Sequence, residues 1–431
     1  MKKQLIAIIL GATTVFSSND ALSYIKEGDK PINGNGGSSS ATLNAKGANC
    51  APATASITMK FNEVKAFIEQ GGSMFQNRQE GVAAYEVGGD NLFAIYAGAL
   101  WMGGTDINGQ LKLAALRYRQ GNDFWPGPLT ITPGTGTYDP MDPVGDDIIR
   151  DYGEANIDPD QCLYFDRFYT IRKAEVIAYT LWWEFENGLS TEEVPEPSDE
   201  VLSRINGWPA HGRVDLGQDY WLAPFYDYDE NGSYDPTQGD IPWYDDILDR
   251  DDITCGFDRR VSLFGDETHW WVFNDKGNIH TETNGEPIGM EIRAQAFAFA
   301  TNDEVNRMTF YNYEMINRGT QTLYDTYFSQ YLDCDIGNYS DDYVGCDVSR
   351  GLGYTYNGDA LDETSGGNQG YGENPPAIGC DFFEGPYQDA DGRDNIGPVF
   401  DSILGDYVAP SVVDAIADTG IVYRGIGDRK S

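Results

Sequence analysis

Three successive stretches alternate apolar and polar residues with a period of two: AQAFAFA (294–300), RMTFYNYEMINR (307–318) and LYDTYFSQYLD (323–333). Successive side chains on a strand point to opposite faces, so this pattern builds sheets with one face on a core. Tyr, Phe and Thr, which dominate here, pack well on a pleated surface. Arg318-Gly319-Thr320 predicts a turn between the last two strands. No regular βαβ series accompanies them. The expected fold is therefore mainly β: antiparallel β-sandwich-like domains with long acidic loops and few helices. Upstream, LFAIYAGALWMGG and LKLAALRYR extend the pattern, and Asn108-Gly109 between them is a hairpin signal. Residues 171–186 (IRKAEVIAYTLWWEFE) fit helix or strand, with helix ahead.

The first residues read as a secretory leader over 1–23. Lys2 and Lys3 supply a positive start, Leu5 to Phe16 a short apolar run, and Ala21-Leu22-Ser23 a small-residue cleavage site. The apolar run is too short to span a bilayer, so no membrane insertion is expected after cleavage. A Gly-, Ser- and Asn-rich entry segment follows over 24–55. The expected divisions beyond it are an N-terminal β-rich domain (56–190), a loop-rich calcium-binding segment (191–260) and a C-terminal β-sandwich-like domain (261–431). Residues 130–160, rich in Pro, Gly and Asp, read as a long loop.

Export makes the six cysteines informative: Cys50, Cys162, Cys255, Cys334, Cys346 and Cys380. An even count favours disulfides, and spacing alone leaves the pairing open. One pairing considered is Cys334–Cys346, which would rigidify the acidic stretch between them. None of the six lies in a zinc-type pattern.

Charge narrows the partners. With 69 Asp plus Glu against 29 Lys plus Arg the formal net charge is −40. Such a surface repels phosphate backbones and anionic headgroups, so nucleic acid and membrane surfaces are not expected partners, whereas cations are. The sharpest motif is DYDENGSYDPTQGD (227–240). Asp227, Asp229, Asn231, Ser233 and Asp235 hold positions 1, 3, 5, 7 and 9 of a calcium loop, and Gly232 holds position 6, where the chain must turn sharply. Position 12 is Gln238 rather than Glu, and Pro236 and Pro242 argue against flanking helices, so Asp240 is the candidate for the missing carboxylate. Two weaker candidates for Ca²⁺ are Asp333, Asp335, Asp341, Asp342 and Asp347 around one turn, and Asp389, Asp391 and Asp394 around Gly392.

Catalytic patterns are thin. No HExxH, GxSxG or phosphate-binding loop occurs, and His211, His269 and His280 read as structural hydrogen-bonders. Trp101, Trp125, Trp208 and the pairs Trp182-Trp183 and Trp270-Trp271 read as core before glycan platform.

Several long blocks together carry a family resemblance. They are GALWMGG, LKLAALRYR and GNDFWPGPL within 98–129, NGWPAHG and YWLAPFYDYDENGSYDPTQGDIPWYD within 206–245, FGDETHWWVFNDKGN and its continuation over 264–320, and DDYVGCDVSRGLGYTYNGD (341–359). The chain resembles Bacteroidota-type exported surface proteins, substrates of type IX secretion that usually end in a C-terminal sorting domain. The resemblance implies a cell-surface or secreted protein, without an established activity. No sorting module precedes Ser431, so the chain is expected to be a piece of a longer one. The expected function is a non-enzymatic structural or adhesion protein stabilised by calcium and disulfides, with surface glycans or other cell-surface proteins as partners. The alternative is a carbohydrate-active protein, either a glycoside hydrolase or a lectin-like binder.

Overall fold

A computed structural model describes residues 5–11, 48–88, 92–118, 121–131, 155–244, 262–383, 399–401 and 406–408. Most of the entry segment, the 132–154 loop, Cys255, and Asp389, Asp391 and Asp394 lie outside the described residues. Along the chain the principal strands are β1 (Leu5–Gly11), β2 (Ser56–Met59), β3 (Val64–Glu69), β4 (Ala97–Thr105) and β5 (Leu111–Ala114). Then come α1 (Pro159–Tyr164), β6 (Tyr169–Arg172), α2 (Lys173–Glu186) and α3 (Asp199–Asn206). The rest is β7 (Glu267–Asn274), β8 (Met290–Ala298), β9 (Thr309–Asn317), β10 (Tyr324–Asp333), β11 (Asp342–Asp347), β12 (Leu352–Asn357) and β13 (Ala377–Phe382). The protein is mainly β, and its strands pair antiparallel except at β1, which runs parallel to both β9 and β13.

Two sheets face each other. One has the order β7-β8-β9-β1-β13-β12-β11, with β6 and Trp125–Pro126 also on β7. The other is built on β5, β4 and β3, with β10 on β4 and β2 on β3. Alternation explains how the first sheet serves two cores. Trp271 and Phe273 of β7 pack with Ile292, Ala294 and Tyr311 against Val64, Ile68, Leu100 and Met102 of the second sheet. Trp270 and Val272 point the other way, into a cluster with Val176, Tyr179 and Trp183 of α2 and Ile205 of α3. Both tryptophans of that pair are core, at 1% and 0% exposure. A sheet covered on both faces reads as a nearly continuous apolar run, as β7 does.

Segment 171–186 is a helix from Lys173, with Val176, Tyr179 and Trp183 at three- and four-residue spacing on its buried face. The Asn108-Gly109 turn joins β4 and β5 as a hairpin, with Gly109 at φ +74°. The chain bends at Thr320 and Gln321 between β9 and β10, but β10 then pairs with β4, opposite Ala97 to Thr105, and not with β9. Arg318, the first residue of the expected turn, is 1% exposed and tied into a buried charge network, which holds this end of β9 while the chain crosses to the other sheet.

The disulfide joins Cys50 to Cys162, with Cα atoms 5.9 Å apart. Cys334, Cys346 and Cys380 are thiols, so the Cys334–Cys346 pairing is not made. Cys346 lies exposed on β11, whereas Cys334 packs against the sandwich core.

Candidate metal centre in an acidic turn

The 227–240 segment leaves the short strand Phe225–Tyr226 and returns to its partner Ile241–Pro242, so its two ends are clamped together by antiparallel pairing. Within it the carboxylates organise the backbone. Asp227 accepts the Gly232 amide at 2.6 Å and the Asn231 amide at 3.2 Å, and Asp229 accepts the Asn231 side-chain amide at 2.7 Å. Gly232 takes φ +78°, the left-handed conformation that position 6 needs. Asp235 caps the short 3₁₀ turn Pro236–Gln238 by accepting from the Thr237 amide.

Aromatic groups hold the turn from outside. Tyr179 and Trp183 of α2 donate to the carbonyls of Pro236 and Thr237 at 2.7 and 3.0 Å. Tyr220 donates to the Gly232 carbonyl at 2.8 Å, and His211 Nε2 accepts the Tyr234 amide at 2.8 Å. His211 is thus a turn anchor. His280 is likewise structural, with its ring nitrogens on the carbonyls of Leu113 and Asp275.

The consequence is a convergence that local spacing alone does not define. Ligand oxygens of Asp227, Asp229 and Asp240 lie within 4.8 Å of one another, the one such group of three acidic, His or Cys side chains among the described residues. Asp240 is completely buried and each of its oxygens accepts one backbone amide, from Tyr228 at 2.8 Å and Asp235 at 2.7 Å. Burial, with the charges of Asp227 and Asp229, pushes its carboxyl up to about 6. Asp227 is also raised, chiefly by burial. Three carboxylates so placed repel one another, and a hard cation with oxygen ligands is the species that reverses the sign of that interaction. Asn231, Ser233 and Asp235 are in the same turn. The Asn231 side chain donates to Asp229 and its oxygen accepts the Ser233 amide, while the Asp235 carboxylate is spent on its cap.

The 333–347 acids are spread over a longer turn. Asp333 accepts the Tyr118 hydroxyl at 2.8 Å, and Asp342 accepts the Ile336 amide at 2.7 Å. Burial pushes both Asp335 and Asp342 up to about 6. One oxygen each of Asp341 and Asp342 is buried without a hydrogen-bond partner. Asp347 lies 3.5 Å from Arg350. Sequence reasoning passed over Asp362, which is 1% exposed and accepts the amides of Asn338 and Tyr371 beside this group. It lies with Asp359 and Glu363 in a short acidic run after β12 that lacks the alternating spacing of a calcium loop.

No protein-family model, curated protein or solved structure matches this chain.

Proposed function

We propose that the chain is an exported, non-enzymatic structural or adhesion protein of a cell surface, whose acidic turn binds Ca²⁺ and fixes the α2-facing layer. The observation that carries the calcium reading is the convergence of Asp227, Asp229 and the wholly buried Asp240 on a turn already bent to calcium-loop geometry at Gly232. An extracellular setting, where Ca²⁺ is millimolar, suits a site of two or three carboxylates with modest affinity. The Cys50–Cys162 disulfide is consistent with an oxidising compartment. Export itself rests on the leader pattern, and cleavage after Ser23 would take β1 out of its place between β9 and β13.

The hydrolase alternative needs two carboxylates facing each other across a cleft. The groove beside β2 and β6 offers Glu267 as its one carboxylate, bonded by Arg172 at 2.8 Å with His269 Nε2 3.3 Å from its other oxygen.

The test is thermal unfolding of the full chain in EGTA and in millimolar CaCl₂. A site with Kd near 10⁻⁴ M stabilises by about 1.8 kcal/mol at 2 mM Ca²⁺. Asp229→Asn, an exposed position, is expected to abolish the calcium-dependent rise while melting normally in EGTA. An equal midpoint in EGTA and calcium for the unaltered protein refutes the reading.

A further inference from the structure

A groove of about 840 Å³ runs between β2, β6, α3 and the start of β7, apart from the acidic turn. Its lining differs in chemistry from the rest of this acidic chain. Ser56, Thr58 and Lys60 are exposed at every second residue along β2 and its end, so they present one face of extended chain. Thr170 and Arg172 of β6 and Arg204 of α3 add a hydroxyl and two guanidinium groups, and Phe61 and Phe168 add aromatic faces. Glu267 is the one carboxylate in the lining.

Arg172 is the centre of the arrangement. Its Nε donates to Glu267 at 2.8 Å and its guanidinium sits 5.5 Å from the centre of the Phe61 ring, which fixes the plane of the fork. Its side chain is 48% exposed, and among the described residues its terminal nitrogens donate no hydrogen bond. Lys60, on the same groove, makes no ion pair among the described residues. Arg204 is committed, held by Glu175 and Glu200 at 2.5 Å each. A pre-oriented guanidinium with open donors beside a second unpaired cation is a receptor for a carboxylate, and the bidentate geometry of Arg suits that group. His269 supports the frame from behind, 3% exposed, with Nδ1 2.8 Å from the Thr170 hydroxyl and Nε2 3.3 Å from Glu267.

We propose that this groove binds a sugar acid. Its carboxylate is received by Arg172 and Lys60, its hydroxyls by Ser56, Thr58 and Thr170, and its apolar ring face by Phe61 and Phe168. The three protein hydroxyls and two aromatic rings favour a polyhydroxylated ring over a bare organic anion, and the two open cations favour a uronic acid over a neutral sugar.

The experiment is calorimetric or ligand-observed NMR titration of the full chain with D-glucuronate, D-glucose and acetate in EGTA, so that calcium bridging plays no part. Glucuronate is expected to bind at least about tenfold more tightly than either glucose or acetate. Lys60→Ala, at an exposed position, is expected to weaken glucuronate about fivefold with an unchanged melting midpoint. Glucose matching glucuronate overturns the charge recognition, and acetate matching it overturns the ring recognition. An unchanged affinity in Lys60→Ala, or no binding of glucuronate at all, overturns the site.

Discussion

Replacing Glu291 by Gln tests how the sheet tolerates charge in its interior. The odd-numbered residues of β8, Glu291, Arg293 and Gln295, form the strand's polar face, yet they are 0%, 6% and 4% exposed, with Leu129 on Glu291, Asp219 and Leu222 on Arg293, and Ser262 on Gln295. The charges balance only as a set. Glu291 Oε1 accepts from Arg293 at 2.9 Å and Arg318 at 3.1 Å, while Oε2 accepts the Leu129 amide at 2.9 Å. Asp219 accepts from Nη2 of both arginines, at 2.9 and 2.8 Å. Burial alone would raise the Glu291 carboxyl, but Arg318 and Arg293 outweigh it and hold it below the usual range. Glu291→Gln leaves two buried guanidinium groups facing Asp219, with Glu314 3.9 Å from Arg293 as the other carboxylate, and turns an amide donor toward either the Leu129 N–H or an arginine. Breaking a buried pair on one side costs about 3–5 kcal/mol. If the chain unfolds as one unit, an unfolding entropy near 0.9 kcal/mol/K makes that about 3–5 °C in the midpoint. Asp219→Asn is expected to cost less, because its carboxylate is 20% exposed and water takes up part of the loss. Replacing Glu291 and Arg318 together by Met removes one charge of each sign, and is expected to cost less than Glu291→Gln alone. The assay is calorimetric unfolding of all three variants. A Glu291→Gln protein within about 1 kcal/mol of the parent, or a double variant less stable than the single, refutes the reasoning.

The remaining expectations concern the disulfide and acid stability. The Cys50–Cys162 bridge spans a sequence separation of 112, for which loop-closure entropy predicts about 4.8 kcal/mol. Its replacement by two alanines should lower the midpoint by about 5 °C, read by calorimetry against the oxidised parent without reductant. Glu267 is pushed up by burial but brought down to about 2 by His269 and Arg172, below its ordinary 4.5. Its contribution is therefore present above pH 4.5 and lost as the pH falls through 2. Glu267→Gln should flatten the acid limb of the stability–pH curve by about 3 kcal/mol, measured by urea unfolding between pH 2 and 6.

What the sequence disclosed follows the range of the interactions. The alternation in 294–318 located β8 and β9, and the Trp270-Trp271 pair was legible as core, because both depend on neighbours within one strand. The partner of β10 was not legible. It lies on β4, more than two hundred residues away, and period-two patterning says which face is apolar but not which strand lies alongside. The polar face of β8 misleads in the same way. Alternation suggests a solvated side, whereas residues from several distant segments bond to it and the charges pair instead. In the acidic turn, the spacing of Asp227 and Asp229 and the glycine at position 6 were readable, but the burial of Asp240 depends on α2 and on the pairing of Phe225 with Pro242. The groove was missed altogether, since β2, β6 and β7 bring its parts from three separate segments and none carries a motif.

The acidic turn and the groove share a helix, and this gives a last prediction. Tyr179 and Trp183 on α2 hold the turn at Pro236 and Thr237, while Glu175, at the start of the same helix, holds Arg204 in the groove lining. A cation that tightens the turn acts on Tyr179 and Trp183 of α2, and the same helix carries Glu175 to the groove. With both sites occupied as proposed, calcium should strengthen glucuronate binding by about two- to fivefold, a coupling near 1 kcal/mol or less. Linkage then requires glucuronate to strengthen calcium binding by the same factor, so the two titrations check each other. The coupling should vanish in Trp183→Phe, which keeps an aromatic ring in the α2 face but cannot donate to Thr237. Identical glucuronate affinity in EGTA and in saturating calcium refutes transmission through α2 and leaves the two sites independent. Persistence of the coupling in Trp183→Phe places the connection elsewhere than at the Thr237 carbonyl.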